Sequence, residues 1–189
     1  TKIPASYPLT KMKHNRFPEG TVRVENVFEG LDTPGEWVLN SQDRKIYYWP
    51  SGNRPGDNIM APALKVLIKV AGDARINEPA DIPVKGIHFK GLTFTHADRD
   101  TWDADDSGIQ HDWEMEDKDN AMLRFRAAED CSVDGCHFYN AGGNAIRLDF
   151  HAQRIEIRNN LIHDLGGSAV MMLGYGPGTK DVNKKNKVV

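Results

Sequence analysis

Apolar and polar residues follow the same order in two adjacent segments of the chain, residues 120–143 and 144–167. The later segment repeats the apolar positions of the earlier one at an offset of 24 residues, and each segment ends in Gly-Gly. The matched positions are Cys131 with Ile155, Val133 with Ile157, Cys136 with Asn160 and Phe138 with Ile162. A period of this length, with short alternating strands and no helical pattern, predicts an all-β fold, a right-handed parallel β-helix with one coil per repeat.

The same pattern extends in both directions from the two matched segments. Ile87, Phe89, Leu92 and Phe94 precede the matched positions of the next coil by 44 residues, one period plus an insertion. Residues 169–172 restart the strand that begins at Ala145. We therefore predict β-helix coils over residues 63–189, with an insertion at 95–120 and a truncated last coil.

The residues before the coils follow a different pattern. Residues 1–20 lack periodicity and predict an extended lead-in segment. Residues 21–62 alternate in VRVENVF, EWVLN and KIYYWP, separated by turn sequences, which predicts a small antiparallel β subdomain. The run ALKVLIKVAG then predicts a buried strand of a parallel sheet.

Charge and composition narrow the set of partners. The 189 residues carry a net charge of -3, so no basic field would gather nucleic acid or an anionic membrane surface, and neither is expected as a partner. The chain has no run of eighteen apolar residues that would predict a transmembrane helix. It starts without Met and ends within a predicted strand, so we expect a fragment of a longer chain.

Candidate chemistry is concentrated in the insertion at 95–120. It holds ten acidic residues with two histidines and two tryptophans, HADRDTWDADDSGIQHDWEMEDKDN, and insertions from a coil are commonly functional. Carboxylates beside aromatic rings are typical of carbohydrate sites, because rings stack on sugar C–H faces. A solvated acidic flap and a structural calcium site are the alternatives, although the spacing lacks the Gly and distal Glu of a twelve-residue calcium loop.

Within the insertion, GIQHDWEM offers a base, acids and a stacking surface in consecutive residues. In an extended segment alternate side chains share a face, so Asp112 and Glu114 would face one groove together. We assign Asp112 to catalysis, and His111, Trp113 and Glu114 to substrate binding.

A second departure from the repeat is one extra residue near DFHAQ, which places Asp149 and His151 where the strand leaves the groove-forming sheet. Adjacent coils lie about 4.8 Å apart, so carboxylates on nearby coils match the separations of about 5 to 9.5 Å that glycosidases use. We assign Asp149 to catalysis with Asp112, and Arg147, His151 and Lys180 to substrate binding. A turn-capping role for Asp149 and a surface role for His151 are the structural alternatives.

The combination of GEWVL, IYYWP, GIHFKGLTFTHA and the coil pattern AIRL…NNLIHDLGG resembles bacterial right-handed β-helix carbohydrate-active enzymes, most closely glycoside hydrolase family 141. The resemblance covers roughly residues 22–174. It implies a secreted or periplasmic enzyme that uses a pair of aspartates and acts on α-L-fucosides or xylan. We expect that no cofactor is required. GIQHDWEM and GYGPGTKDVNK indicate a narrower subgroup, for which sulfated galactans are a further candidate substrate.

Three functions follow from these patterns. The first is a glycoside hydrolase with two groove carboxylates, acting on a complex polysaccharide or oligosaccharide that is sulfated or acidic. The second is a polysaccharide lyase, in which a basic side chain removes the C5 proton of a uronate. The third is a non-catalytic β-helix domain that only binds glycans, for which Asp149 and Asp112 would be dispensable.

Overall fold

A computed structural model describes residues 26–99, 120–176 and 178–189, and in these residues the protein is all-β. The chain divides into two compact units, Thr1–Ile59 and Met60–Val189. Parallel strands make up the sheets of the second unit, whereas the first contains an antiparallel pair.

The first unit contains the antiparallel strands β1 (Trp37–Asn40) and β2 (Lys45–Tyr48), which confirms two of the strands predicted there. The third, in VRVENVF, is wrong for its described part, because Phe28–Gly30 forms a 3-10 helix. Asn26 has a φ of 57°, and its side chain bonds the backbone N and O of Leu39, so the alternation ends there.

The second unit consists of three parallel sheets. The first sheet contains β3 (Ile68–Ala71), β4 (Val84–Lys85), β7 (Ala121–Glu129), β10 (Asn144–Gln153), β13 (Val170–Gly174) and β14 (Asn183–Lys184). The second contains β5 (His88–Lys90), β8 (Ser132–Asp134), β11 (Glu156–Arg158) and β15 (Lys187–Val188). The third contains β6 (Thr93–Ala97), β9 (His137–Ala141) and β12 (Leu161–Ile162).

Strands of the second unit pair with strands one repeat away, and the pairs at the predicted offsets have the predicted register. Val133 pairs with Ile157 at the 24-residue offset. Phe89 pairs with Val133 at the 44-residue offset, and Phe94 with Phe138 likewise. The predicted run at residues 63–72 contains β3, which pairs parallel with β7. The apolar repeat therefore fixes both the strands and their neighbours.

The core lies between the sheets and is built from the repeated apolar positions. The rings of Phe94 and Phe138 stack with centroids 4.5 Å apart, one repeat on top of the next. Cys131 and Cys136 are buried free thiols at repeated positions that Ile155 and Asn160 occupy in the next repeat. Burial raises the pKa of Cys131, which keeps this thiol protonated and packed as a small apolar group.

The repeated Gly-Gly marks a point where neighbouring repeats touch through their backbones. A Cβ atom added to Gly166 would lie 2.3 Å from the carbonyl oxygen of Gly142, and one added to Gly143 would lie 2.6 Å from that of Asn120. Real Cβ atoms do not approach backbone so closely, so glycine is required for close contact.

Gly166→Ala is therefore expected to lower the free energy of unfolding by about 1–3 kcal/mol, the usual cost of overpacking. Gly174→Ala is the matched control, because its added Cβ would meet nothing closer than 3.7 Å. Urea denaturation measures both. Equal stability of the two variants would contradict the close backbone contact.

The first sheet bends at the same position along its strands in four successive repeats. β3 and β4 both pair with β7, and β13 and β14 both pair with β10, so the chain leaves the sheet between the members of each pair. At this position β10 carries two residues, Phe150 and His151, opposite the single Ala127 of β7. This bulge is the extra residue predicted near DFHAQ, and it re-aims the side chains beside it.

Candidate functional site

Polar and charged side chains from two neighbouring strands and two connecting segments meet at the bend of the first sheet. We call these residues the bend cluster: Asp81, Glu129, His151, Tyr175 and Lys180. Asp81 comes from the segment between β3 and β4, and Tyr175 and Lys180 come from the segment between β13 and β14. Glu129 ends β7, and His151 lies in the bulge of β10. The bend thus brings together residues that are far apart in sequence.

Asp81 is the centre of the bend cluster, and its side chain has no solvent exposure. Its Oδ1 accepts from the Tyr175 hydroxyl at 2.7 Å, from Lys180 Nζ at 2.8 Å and from the backbone N–H of Arg75 at 2.9 Å. Its Oδ2 lies 3.1 Å from His151 Nδ1. A buried carboxylate with this many donors holds the two connecting segments against β10.

Glu129 lies on the other side of His151. Its Oε1 is 2.9 Å from His151 Nε2, and its Oε2 is 2.8 Å from Lys85 Nζ and 2.7 Å from Arg154 Nη2. Lys85 and Arg154 are both substantially exposed. The bend cluster therefore passes from a buried interior at Asp81 to a solvent-facing edge beyond Glu129.

His151 lies between two carboxylates, one at each ring nitrogen. A neutral imidazole donates from only one nitrogen, whereas an imidazolium donates from both. Both contacts are satisfied as hydrogen bonds when the ring carries two protons. The ring is nearly buried, with 7% of its side-chain surface exposed.

The contacts of the bend cluster lower the pKa values of its two carboxyl groups and raise the pKa of its tyrosine hydroxyl. Burial would raise the pKa of Asp81, but the hydrogen bonds from Lys180, Tyr175 and His151 outweigh it and lower the pKa. The hydrogen bond from Lys85 is the largest cause of the lowered pKa of Glu129. Burial, and then the hydrogen bond to Asp81, raise the pKa of Tyr175. Ionised carboxylates thus lie beside groups that retain their protons.

A second group of buried charges lies on β7 and β10, and we call it the arginine layer: Arg124, Arg147 and Asp149. Arg147 Nε donates to Asp149 Oδ1 at 2.5 Å, and Arg124 Nε donates to Asp149 Oδ2. Arg147 Nη1 also donates to Asn120 Oδ1 at 2.5 Å. Asp149 has no solvent exposure. The two guanidinium groups therefore hold a fully enclosed carboxylate.

The structure brings some of the predicted site residues together and separates others. His151 and Lys180 both belong to the bend cluster, and each bonds Asp81. Arg147 and Asp149 belong to the arginine layer; the expectation that Asp149 faces an open groove is wrong for this structure, because both of its oxygens are enclosed by arginines. His111, Asp112, Trp113 and Glu114 lie outside the described residues, as does most of the acidic insertion.

The sequence patterns did not indicate Asp81, Glu129 or Tyr175. The available signal was GDARINEPADIP, a polar stretch that separates the two strands of one repeat, just as GYGPGTKDV does three repeats later. Two polar interruptions at equivalent positions of a repeat predict neighbouring loops, although not their contacts.

Two features are absent from the residues that the structure describes, a metal-binding cluster and a membrane-spanning helix. Within 26–99, 120–176 and 178–189, no group of three or more His, Cys, Asp or Glu side chains is arranged to hold a metal ion. The described part of the chain likewise contains no helix with the length and apolar character needed to cross a bilayer. The residues of the alternative calcium site fall mainly on 100–119, outside this part.

Comparison of the chain with protein-family models, with curated proteins and with solved structures finds no match. The resemblance to glycoside hydrolase family 141 therefore stays an expectation drawn from residues.

Proposed function

We propose that the chain is part of a right-handed parallel β-helix that acts as a glycoside hydrolase on a complex, acidic or sulfated polysaccharide. Each strand of the second unit pairs in parallel with the strand one repeat away, which is the pairing that a β-helix requires. The right hand is proposed because crossovers between parallel strands are right-handed in about 98% of cases.

The bend cluster is the observation that carries the proposal of a site. A buried titratable cluster assembled from several separate segments, with pKa values shifted in opposite directions, is typical of functional sites. A structural ion-pair network would perturb pKa values too, and the rate of glycan cleavage by a His151 variant separates the two roles. His151 and Lys180 are proposed to contact the acidic group of the glycan, which enters past Glu129 from the solvent-facing edge of the bend cluster.

The proposed hydrolysis uses the carboxylate pair Asp149 and Asp112. One carboxylic acid protonates the glycosidic oxygen as its bond to the anomeric carbon breaks, and the other activates water or forms a covalent intermediate. Asp149, held by two guanidinium groups, suits the ionised role. Because Asp149 is enclosed, contact with a sugar requires displacement of the groups that cover it.

A lyase is the second candidate, favoured by one specific observation. The pKa values of Asp81 and Glu129 are lowered, so the bend cluster offers no neutral carboxylic acid, whereas Lys180 and His151 are basic side chains and Tyr175 is a proton donor. In β-elimination a base removes the C5 proton of a uronate, the C4–O bond breaks, and the leaving oxygen takes up a proton.

Incubation of the protein with a panel of acidic and sulfated polysaccharides tests the reaction class. We expect new reducing ends without ultraviolet absorbance from an unsaturated uronate. Reducing ends that appear together with that absorbance would contradict the hydrolase and support the lyase. Retention of the protein on a polysaccharide that it leaves uncut would overturn both and leave a glycan-binding domain.

A further inference from the structure

Two histidines on the outer face of the third sheet point their ring nitrogens at each other. His137 lies on β9, and His163 follows β12 directly in the chain. Their Nε2 atoms are 2.7 Å apart, and their ring centroids are 4.9 Å apart. We call His137 and His163 the histidine pair. It lies outside both the bend cluster and the arginine layer.

The hydrogen bonds of the histidine pair fix where its protons are. Asp164 Oδ2 lies 2.8 Å from His163 Nδ1, and an ionised carboxylate only accepts, so this nitrogen carries a proton. In the neutral ring the lone pair of His163 is then on Nε2, directed at His137. The contact between the two Nε2 atoms requires a single proton between them, and a metal ion can take the place of that proton.

A tyrosine ring orients both imidazoles. Tyr139 stacks on His163, with centroids 5.5 Å apart and planes 10° apart, and its centroid is 4.5 Å from that of His137. The His163 side chain is 42% exposed, so an ion reaches the pair from solvent. The rings are thus accessible but already oriented, which lowers the entropic cost of binding.

We propose that the histidine pair binds a divalent transition-metal ion through its two Nε2 atoms, with water in the remaining positions. Tetrahedral coordination at about 2.1 Å per nitrogen separates two ligands by about 3.4 Å, so the rings need to move apart by less than about 1 Å. Asp164 supplies the carboxylate that metal-bound histidines commonly contact through their other nitrogen.

The chemistry of the ligands selects the metal. Imidazole suits copper, nickel and zinc, whereas calcium and magnesium take oxygen ligands. For a fixed set of nitrogen ligands, affinity rises to Cu²⁺ and falls again at Zn²⁺. The histidine pair is therefore expected to prefer Cu²⁺ over Zn²⁺ and to ignore Ca²⁺.

Calorimetric titration of the protein with Cu²⁺, Zn²⁺ and Ca²⁺ at neutral pH tests the proposal. We expect saturable Cu²⁺ binding that His137→Asn and His163→Asn each weaken by about a hundredfold, and that Asp164→Asn weakens by about tenfold. His88→Asn is the matched control, because His88 lies on another sheet, where its Nδ1 contacts Ser132.

Nuclear magnetic resonance of the histidine side chains provides a second readout that does not depend on the heat of binding. The signals of His137 and His163 should respond to Zn²⁺ before that of His88. Absence of saturable Cu²⁺ binding would overturn the proposal, as would wild-type affinity in His137→Asn or an equal loss in His88→Asn.

Discussion

Asp149→Asn is expected to lower the free energy of unfolding by about 3–5 kcal/mol, the usual cost of removing one partner of a buried ion pair. The substitution leaves the side chains of Arg124 and Arg147 without their shared carboxylate, and these side chains are 1% and 0% exposed. Urea denaturation followed by circular dichroism measures the change.

Asp181→Asn is the control for this prediction, since Asp181 pairs with Lys184 but is 87% exposed. Exposed ion pairs contribute about 0–1 kcal/mol, so this variant should unfold almost as the wild type does. A loss below about 1 kcal/mol in Asp149→Asn would show that the arginine layer does not depend on its carboxylate. Turnover by Asp149→Asn is informative only at temperatures where the variant is shown to be folded.

Asp81→Asn is expected to have the second largest effect, a loss of about 3 kcal/mol, for the same reason. Asp81 is enclosed, and it joins the segment before β4 to the segment after β13 through Lys180 and Tyr175. Thermal unfolding should occur at a lower temperature in this variant. The control is Asp73→Asn, because Asp73 is 58% exposed and pairs with Arg75 at the surface.

The stability contributed by Asp81 also depends on pH. Its pKa is lowered in the folded protein, so its contribution is fully present above the unfolded value of about 3.9 and is lost as the pH falls through the folded pKa. Glu129 behaves in the same way. Denaturation midpoints measured from neutral pH down to about pH 3 should fall more steeply for the wild type than for Asp81→Asn. Parallel curves would contradict this role of Asp81.

The sequence predicts the sheets well because their strands repeat. The spacing of Val133, Phe138 and their counterparts identifies the strands. Within each strand, alternate residues face the core and the surface. A shift of the register by one residue would therefore expose the core side chains. The bulge in β10 is equally visible, as a single extra residue in an otherwise constant period.

The site is predicted less well because its contacts do not repeat. His151 and Lys180 were selected from the sequence, but Asp81, which joins them, lies 70 residues before His151 and 99 before Lys180. Nothing in the local pattern reveals where a connecting segment folds. The burial of Asp149 was missed for a related reason, since alternation assigns it to the outer face but does not show that this face is covered.

The central claim is that the bend cluster binds the glycan that the protein cleaves. The most direct test is the initial rate of reducing-end release by His151→Asn, on the polysaccharide that the wild type cuts and well below the unfolding temperature. We predict a loss of about a hundredfold, the effect of misplacing a substrate or a proton donor, with a wild-type rate for the control His88→Asn. A wild-type rate in His151→Asn would show that the bend cluster serves stability alone and would contradict the claim.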